Sequence, residues 1–96
     1  MARTVILTQT RPNTGIAFHD ASDDFKALKQ EMVDAGTLVD NGGSNNETDL
    51  IRTWTLTFTD EDVYVTYLND ARAQSYFQVR QSYNLANGIS EYCLNT

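Results

Sequence analysis

Ninety-six residues, 41% hydrophobic and 21% charged, are enough for one domain with a modest core, and the balance is that of a globular chain, not a disordered one. Thirteen Asp and Glu against seven Lys and Arg leave a formal charge of −6, which argues against nucleic acid and against anionic membrane surfaces, both of which reward clustered basic residues. A single cysteine, Cys93, excludes an intrachain disulfide, and its setting between Tyr92 and Leu94 reads as that of a small packing residue.

The opening segment, MARTVILTQT, lacks the apolar run of a signal peptide, and no stretch approaches the length of a membrane span. A reducing, cytoplasmic-type compartment is therefore expected. Residues 4–10 read as a strand with Val5, Leu7 and Gln9 on one face and Ile6, Thr8 and Thr10 on the other. Pro12, Asn13 and Gly15 stop it, and Ile16, Ala17 and Phe18 form an apolar patch ahead of His19, the only histidine. A helix is predicted over residues 22–35, capped by Asp20 or Ser22, with Phe25, Leu28, Met32 and Ala35 on one face and Gly36 ending it. Residues 37–40 predict a brief strand around Leu38 and Val39. The run 41–46, NGGSNN, has the composition of a hairpin loop, and it lacks the lysine and following helix of a phosphate loop.

Residues 52–59 alternate Arg, Thr, Trp, Thr, Leu, Thr, Phe, Thr, the strongest strand signal in the chain. Trp54, Leu56 and Phe58 share a face that helices must cover, and Thr53, Thr55, Thr57 and Thr59 form a threonine ladder on the other. A helix follows at once, with Thr59 as its expected N-cap and Asp60, Glu61 and Asp62 in the first turn, where the helix dipole favours acids. Three acids at a helix start are read as capping charges and not as metal ligands, since no His or Cys joins them. The stripe of Val63, Tyr64, Tyr67 and Leu68 ends at Asn69 and Asp70. Residues 71–86 predict a further helix with Tyr76, Val79, Tyr83 and Ala86 on one stripe, Phe77 beside it and Arg72 and Arg80 off it, closed by Asn87-Gly88. Residues 89–94, ISEYCL, predict a last strand with a charge on one face, as edge strands often have.

The predicted order is strand, helix, strand, strand, helix with a helical extension, strand. This is an α+β chain with the ferredoxin-like split βαβ pattern and a four-stranded antiparallel sheet, spanning residues 1–96 as one domain. In that pattern the first and third strands are central, which fits their being the clearest strand signals. Helices cover one face, and the threonine ladder is left for a second copy to cover, two-fold symmetry being the commonest solution.

The order of elements, the strand ending in F-T-D-E-D and the run A-x-x-Y-F-x-x-R-x-x-Y-N-x-A-N-G-I resemble the small proteins of the dimeric α+β barrel superfamily, which includes the antibiotic-biosynthesis monooxygenase-like domains. The resemblance implies a homodimer whose two sheets form a barrel, with a chamber between the helix-side face of the sheet and its helices. It also implies that Gln9, Trp54 and Tyr64, with Tyr67 one turn on, occupy the positions that oxygenase members use. Gln9 stands where haem-degrading relatives carry Asn, and Tyr64 where they carry His, so haem is not expected and no cofactor is assigned.

Two functions follow. In the first, the dimer binds a small hydrophobic or aromatic molecule through Gln9, Trp54, Tyr64, Tyr67, Tyr83 and His19, and oxidises it in the manner of the cofactor-independent monooxygenases or merely holds it. In the second, it is a non-catalytic structural or interaction module, Trp54 is plain core and the tyrosines pack. No catalytic residue and no metal ligand is assigned by the sequence, a lone histidine without a partner His or Cys being no metal site.

Overall fold

The computed structural model describes residues 2–95. In chain order the elements are β1 (Arg3–Thr10), α1 (Asp23–Asp34), β2 (Leu38–Asn45), β3 (Ile51–Phe58), α2 (Glu61–Asn69), α3 (Ala71–Asn87) and β4 (Ser90–Asn95). The four strands make one antiparallel sheet in the order β2-β3-β1-β4, so the two strands with the clearest sequence signals are the central pair. The three helices pack on one side of it.

Register decides which residues meet the helices. Val5 pairs with Leu56, Leu7 with Trp54 and Gln9 with Arg52, while Cys93 pairs with Leu7 and Glu91 with Gln9. Directly opposed residues share a face, so these side chains form the helix-facing surface. The other surface carries Thr4, Ile6, Thr8, Thr53, Thr55 and Thr57 at its centre, with Val39 on one edge strand and Tyr92 and Leu94 on the other. None of these side chains is charged, and Val39, Tyr92 and Leu94 are well exposed.

Each helix start is fixed by a side chain that satisfies an otherwise unpaired backbone N–H. Ser22 accepts from Phe25 N, and Asp70 accepts from Arg72 N. For α2 the cap is Asp60, which accepts from Val63 N at 2.9 Å, and not the expected Thr59. Thr59 is occupied elsewhere: its N–H donates to Thr37 O, prolonging the β2–β3 pairing by one step. Asp70 also breaks the chain between α2 and α3, with extended backbone at φ −69, ψ 131. Arg72 then bridges Asp70 and Glu31, at 3.1 and 2.6 Å, tying the start of α3 to α1 and holding both carboxyls below the usual carboxylate range.

The second strand departs most from expectation. It continues through NGGSN to Asn45, and the hairpin turn falls at residues 46–50. The glycines serve a bulge between Asp40 and Gly43, with Gly42 at φ +74 and Gly43 beneath Trp54. Turning is left to Asn46, whose Oδ1 accepts from Leu50 N and Ile51 N at 3.2 and 3.1 Å, and to Asp49 at φ 61.

The core lies towards one end of the sheet. Phe58 has no exposed surface, and around it lie Val5, Leu28, Leu38, Ala73 and a ring cluster of Phe25, Tyr67 and Tyr76. Phe25 stacks on Tyr76 at 4.3 Å between centroids, and Phe58 meets Tyr67 at 4.9 Å. Leu7, Trp54 and Leu56, though on the helix-facing surface, are only half-buried.

Candidate functional site

Half-buried apolar residues at the centre of a sheet mean that the helices do not close over it. Between the sheet and the helix layer lies an open cleft of about 1430 Å³, floored by Leu7, Trp54 and Leu56 and walled by Phe25, Tyr76 and Phe77. An interior packed to ordinary density leaves few voids larger than a water molecule. This space is part of the architecture.

Trp54 stands at the β2 side of the cleft. Its indole packs directly on Gly43, where a Cβ would fall 2.7 Å from Trp54 Cε2. Above it, Lys29 Nζ lies 4.8 Å from the ring centroid and pairs with Asp40 at 2.9 Å, the lysine side chain being 13% exposed. A cation over an indole face is held by the ring quadrupole as well as by its carboxylate. Gly43→Ala is expected to push the indole off β2 into the cleft, costing about 1–3 kcal/mol by overpacking and shifting the emission of the only tryptophan. Fluorescence and urea unfolding of the variant check both.

At the β4 side a polar quartet gathers on Glu91. Its Oε1 accepts from Gln9 Nε2 at 2.9 Å and Asn84 Nδ2 at 3.1 Å, and lies 3.0 Å from Arg80 Nε. The Arg80 guanidinium spreads against Tyr76 and Phe77, at 5.3 and 5.1 Å from their centroids. Gln9 and Asn84 are buried, so the quartet is an internal network reaching from strand to helix. The charge expected on an edge strand thus points inwards, and Arg80 lies off the predicted apolar stripe because it answers that charge.

Tyr67 rises between the two sides, 6% exposed, with no hydrogen-bond partner for its hydroxyl among the described residues. Burial pushes its ionisation well above the ordinary phenol value, and it pushes Tyr64 and Tyr76 the same way. Folding therefore favours the protonated phenols. Their contribution is complete below about pH 10 and falls as pH rises past the unfolded-state value, at up to about 1.4 kcal/mol per pH unit for the well-buried Tyr67 and by less for the more exposed Tyr64 and Tyr76. Tyr67→Phe is expected to flatten that alkaline loss, read as unfolding free energy against pH from 8 to about 11.

The other residues singled out from sequence fall as follows. Gln9, Trp54, Tyr64, Tyr67 and His19 all line the cleft. Tyr64 is at its far end, donating to Asn95 Oδ1 at 3.1 Å beneath the Arg3 guanidinium. His19 sits at the rim between the rings of Tyr76 and Tyr83, at 5.7 and 5.1 Å. Tyr83 does not line it: its hydroxyl donates to Ala17 O and pins the loop after β1. Lys29, Asp40, Arg80 and Glu91 were not foreseen. Only the oddity of a basic residue beside the aromatic stripe of α3, and of an acid in an apolar final strand, marked the last two. Among the described residues no three His, Cys, Asp or Glu side chains are grouped to hold a metal ion, and no helix is long and apolar enough to cross a membrane.

No protein-family model matches the chain, and no curated protein matches it. Among solved structures it is similar in fold to a conserved protein of unknown function from Bacteroides thetaiotaomicron, described as a possible oxidoreductase. The TM-score is 0.69 at 10% identity, over 99% of this chain and 95% of that one. A hydantoinase/carbamoylase family amidase from Burkholderia ambifaria gives a TM-score of 0.51 at 10% identity, and there the chain spans 27% of the larger protein. At such identities the likeness is one of fold.

Proposed function

We propose that the chain is a small ligand-binding protein that takes a hydrophobic or aromatic molecule into the cleft between sheet and helices, working as a homodimer. The observation that carries the reading is Trp54 with Leu7 and Leu56, left half-open at the centre of the sheet in a cleft with ring walls and polar ends. Concave, mostly apolar sites with a few convergent polar groups are what small ligands need. The strand order, with β1 and β3 at the centre of the antiparallel sheet, supports a ferredoxin-like split βαβ reading. With the sequence resemblance it supports membership of the dimeric α+β barrel group, in which oxidation of the bound molecule is the further expectation. The description of the Bacteroides protein as a possible oxidoreductase is in keeping with that.

Two features favour a second copy on the open sheet face. It is uncharged on a chain of net charge −6, so twins meet there without like-charge repulsion, and Val39, Tyr92 and Leu94 offer exposed apolar area at both edges. Native mass spectrometry of the purified protein tests both halves at once. A dimer carrying a small-molecule adduct is expected; a monomer removes the barrel, and a dimer that takes up no aromatic compound on soaking removes the ligand reading.

A further inference from the structure

The cleft has more hydrogen-bond donors than its own acceptors use. Tyr67 is 94% buried by its 6% exposure and its hydroxyl has no protein partner, and the Trp54 indole N–H has none either. Though the ring is buried, the hydroxyl oxygen keeps some accessible surface, and a phenol kept protonated by its buried surroundings remains a donor at any ordinary pH. Of its five N–H groups Arg80 donates one, from Nη2, to Glu91 at 3.4 Å, its buried Nε lying 3.0 Å from Glu91 Oε1 but out of line for a hydrogen bond, and its side chain is 15% exposed. The carboxylates of Glu91 and Asp40, by contrast, are committed, and the buried Asn84 Oδ1, which has no partner among the described residues, does not line the cleft. Glu91 Oε1 is shared by Gln9, Asn84 and Arg80, and Asp40 takes both Lys29 and Gly42 N.

Charge is distributed to match. Lys26, Lys29, Arg52 and Arg80 line the cleft, four of the chain's seven basic residues, against only Asp20, Asp40 and Glu91 of its thirteen acids. A strongly acidic chain has gathered its positive charge on the one concave surface that is also aromatic. A low-dielectric wall around such charge concentrates its attraction for an anion.

We propose that the cleft selects aromatic acids: a planar ring between Trp54 and Phe77, with its carboxylate taken by the free edge of the Arg80 guanidinium and the Tyr67 hydroxyl. This rests on the ligand-binding reading above and narrows it to an anionic class. Guanidinium and phenol donate to the two carboxylate oxygens, while the Gln9 and Asn84 amides occupy Glu91 Oε1.

The test compares 4-hydroxybenzoate with its neutral amide, 4-hydroxybenzamide, by ligand-observed NMR titration of the dialysed protein. The acid is expected to bind about tenfold tighter than the amide or better, and Arg80→Gln to weaken the acid far more than the amide, bringing the two to about the same level. Tyr67→Phe, which removes one hydroxyl and no ring, is expected to weaken the acid alone by about threefold. Equal binding of acid and amide, or a preference for the amide, overturns the anionic class and leaves the ligand cleft standing. Binding of neither compound overturns both. Should Arg80→Gln fail to fold, the comparison on the natural protein and on Tyr67→Phe still decides.

Discussion

Phe58→Ala is expected to destabilise the protein by about 3–5 kcal/mol, the range for emptying a phenylalanine site that cannot collapse. Phe58 is the only large side chain with no exposed surface among the described residues, and it ends β3 where that strand meets Arg3 of β1 and Leu38 of β2. Its ring touches Tyr64 and Tyr67 from α2 at 5.1 and 4.9 Å, so its loss unseats the helix as well as the sheet end. A domain of this size carries a total of about 5–15 kcal/mol, and each kcal/mol moves the melting midpoint by roughly 4–8 °C. The variant should melt about 12 °C lower or more, or fail to fold. Leu56→Ala, one step along the same face but bordering the cleft, should cost distinctly less, about 1–2 kcal/mol, because its site is already open on one side. Urea unfolding of both variants separates a closed core end from an open cleft end, and equal losses would contradict the division.

Glu91→Ala is expected to cost about 2–3 kcal/mol. Three donors converge on that carboxylate, and removing it leaves buried Gln9 and Asn84 and the charge of Arg80 without their acceptor. The Glu91 side chain is 29% exposed, so water relieves part of the penalty and the figure stays below that for a fully buried pair. Glu91→Gln, which keeps an acceptor but drops the charge, should recover about half. A double-mutant cycle with Gln9→Ala should show coupling of about 1 kcal/mol, since the two share one hydrogen bond. Strict additivity would mean that the quartet is surface decoration.

How much of this was legible beforehand depends on the kind of signal each residue carries. The alternation from Arg52 to Phe58 admits a single reading, and the register of β1 against β3 follows from which residues must be inside. The Gly42-Gly43 pair misled because glycine serves two purposes. Its turn chemistry is a local property, whereas the need for a Cβ-less residue under Trp54 belongs to a partner strand more than ten residues away. Thr59 lost the capping role to Asp60 for a like reason, a strand bond to Thr37 that no window around the helix start reveals.

The cleft shows the same division. Trp54, Gln9 and Tyr67 could be picked out because the family resemblance marks their positions, and alternation puts Gln9 and Trp54 on one face. Lys29 and Glu91 could not, because a lysine on a helix and a glutamate on an edge strand are ordinarily solvated, and only the approach of Asp40 and Arg80 turns them inwards. Tyr83 carried the same sequence signal as Tyr67, one position on an aromatic stripe, yet it lies further along α3, where the nearest acceptor is the Ala17 carbonyl. Periodicity assigns a side chain to a face; what stands opposite that face is set by the other elements.

The cleft exists only because the sheet is uncovered beside its one tryptophan. Acrylamide quenching of Trp54 emission reports that directly, because no second indole contributes. The structure predicts emission at an intermediate wavelength and ready quenching in the ligand-free protein, with protection once an aromatic acid is bound. A blue-shifted emission that acrylamide scarcely touches would mean a closed core around Trp54, and would contradict the account.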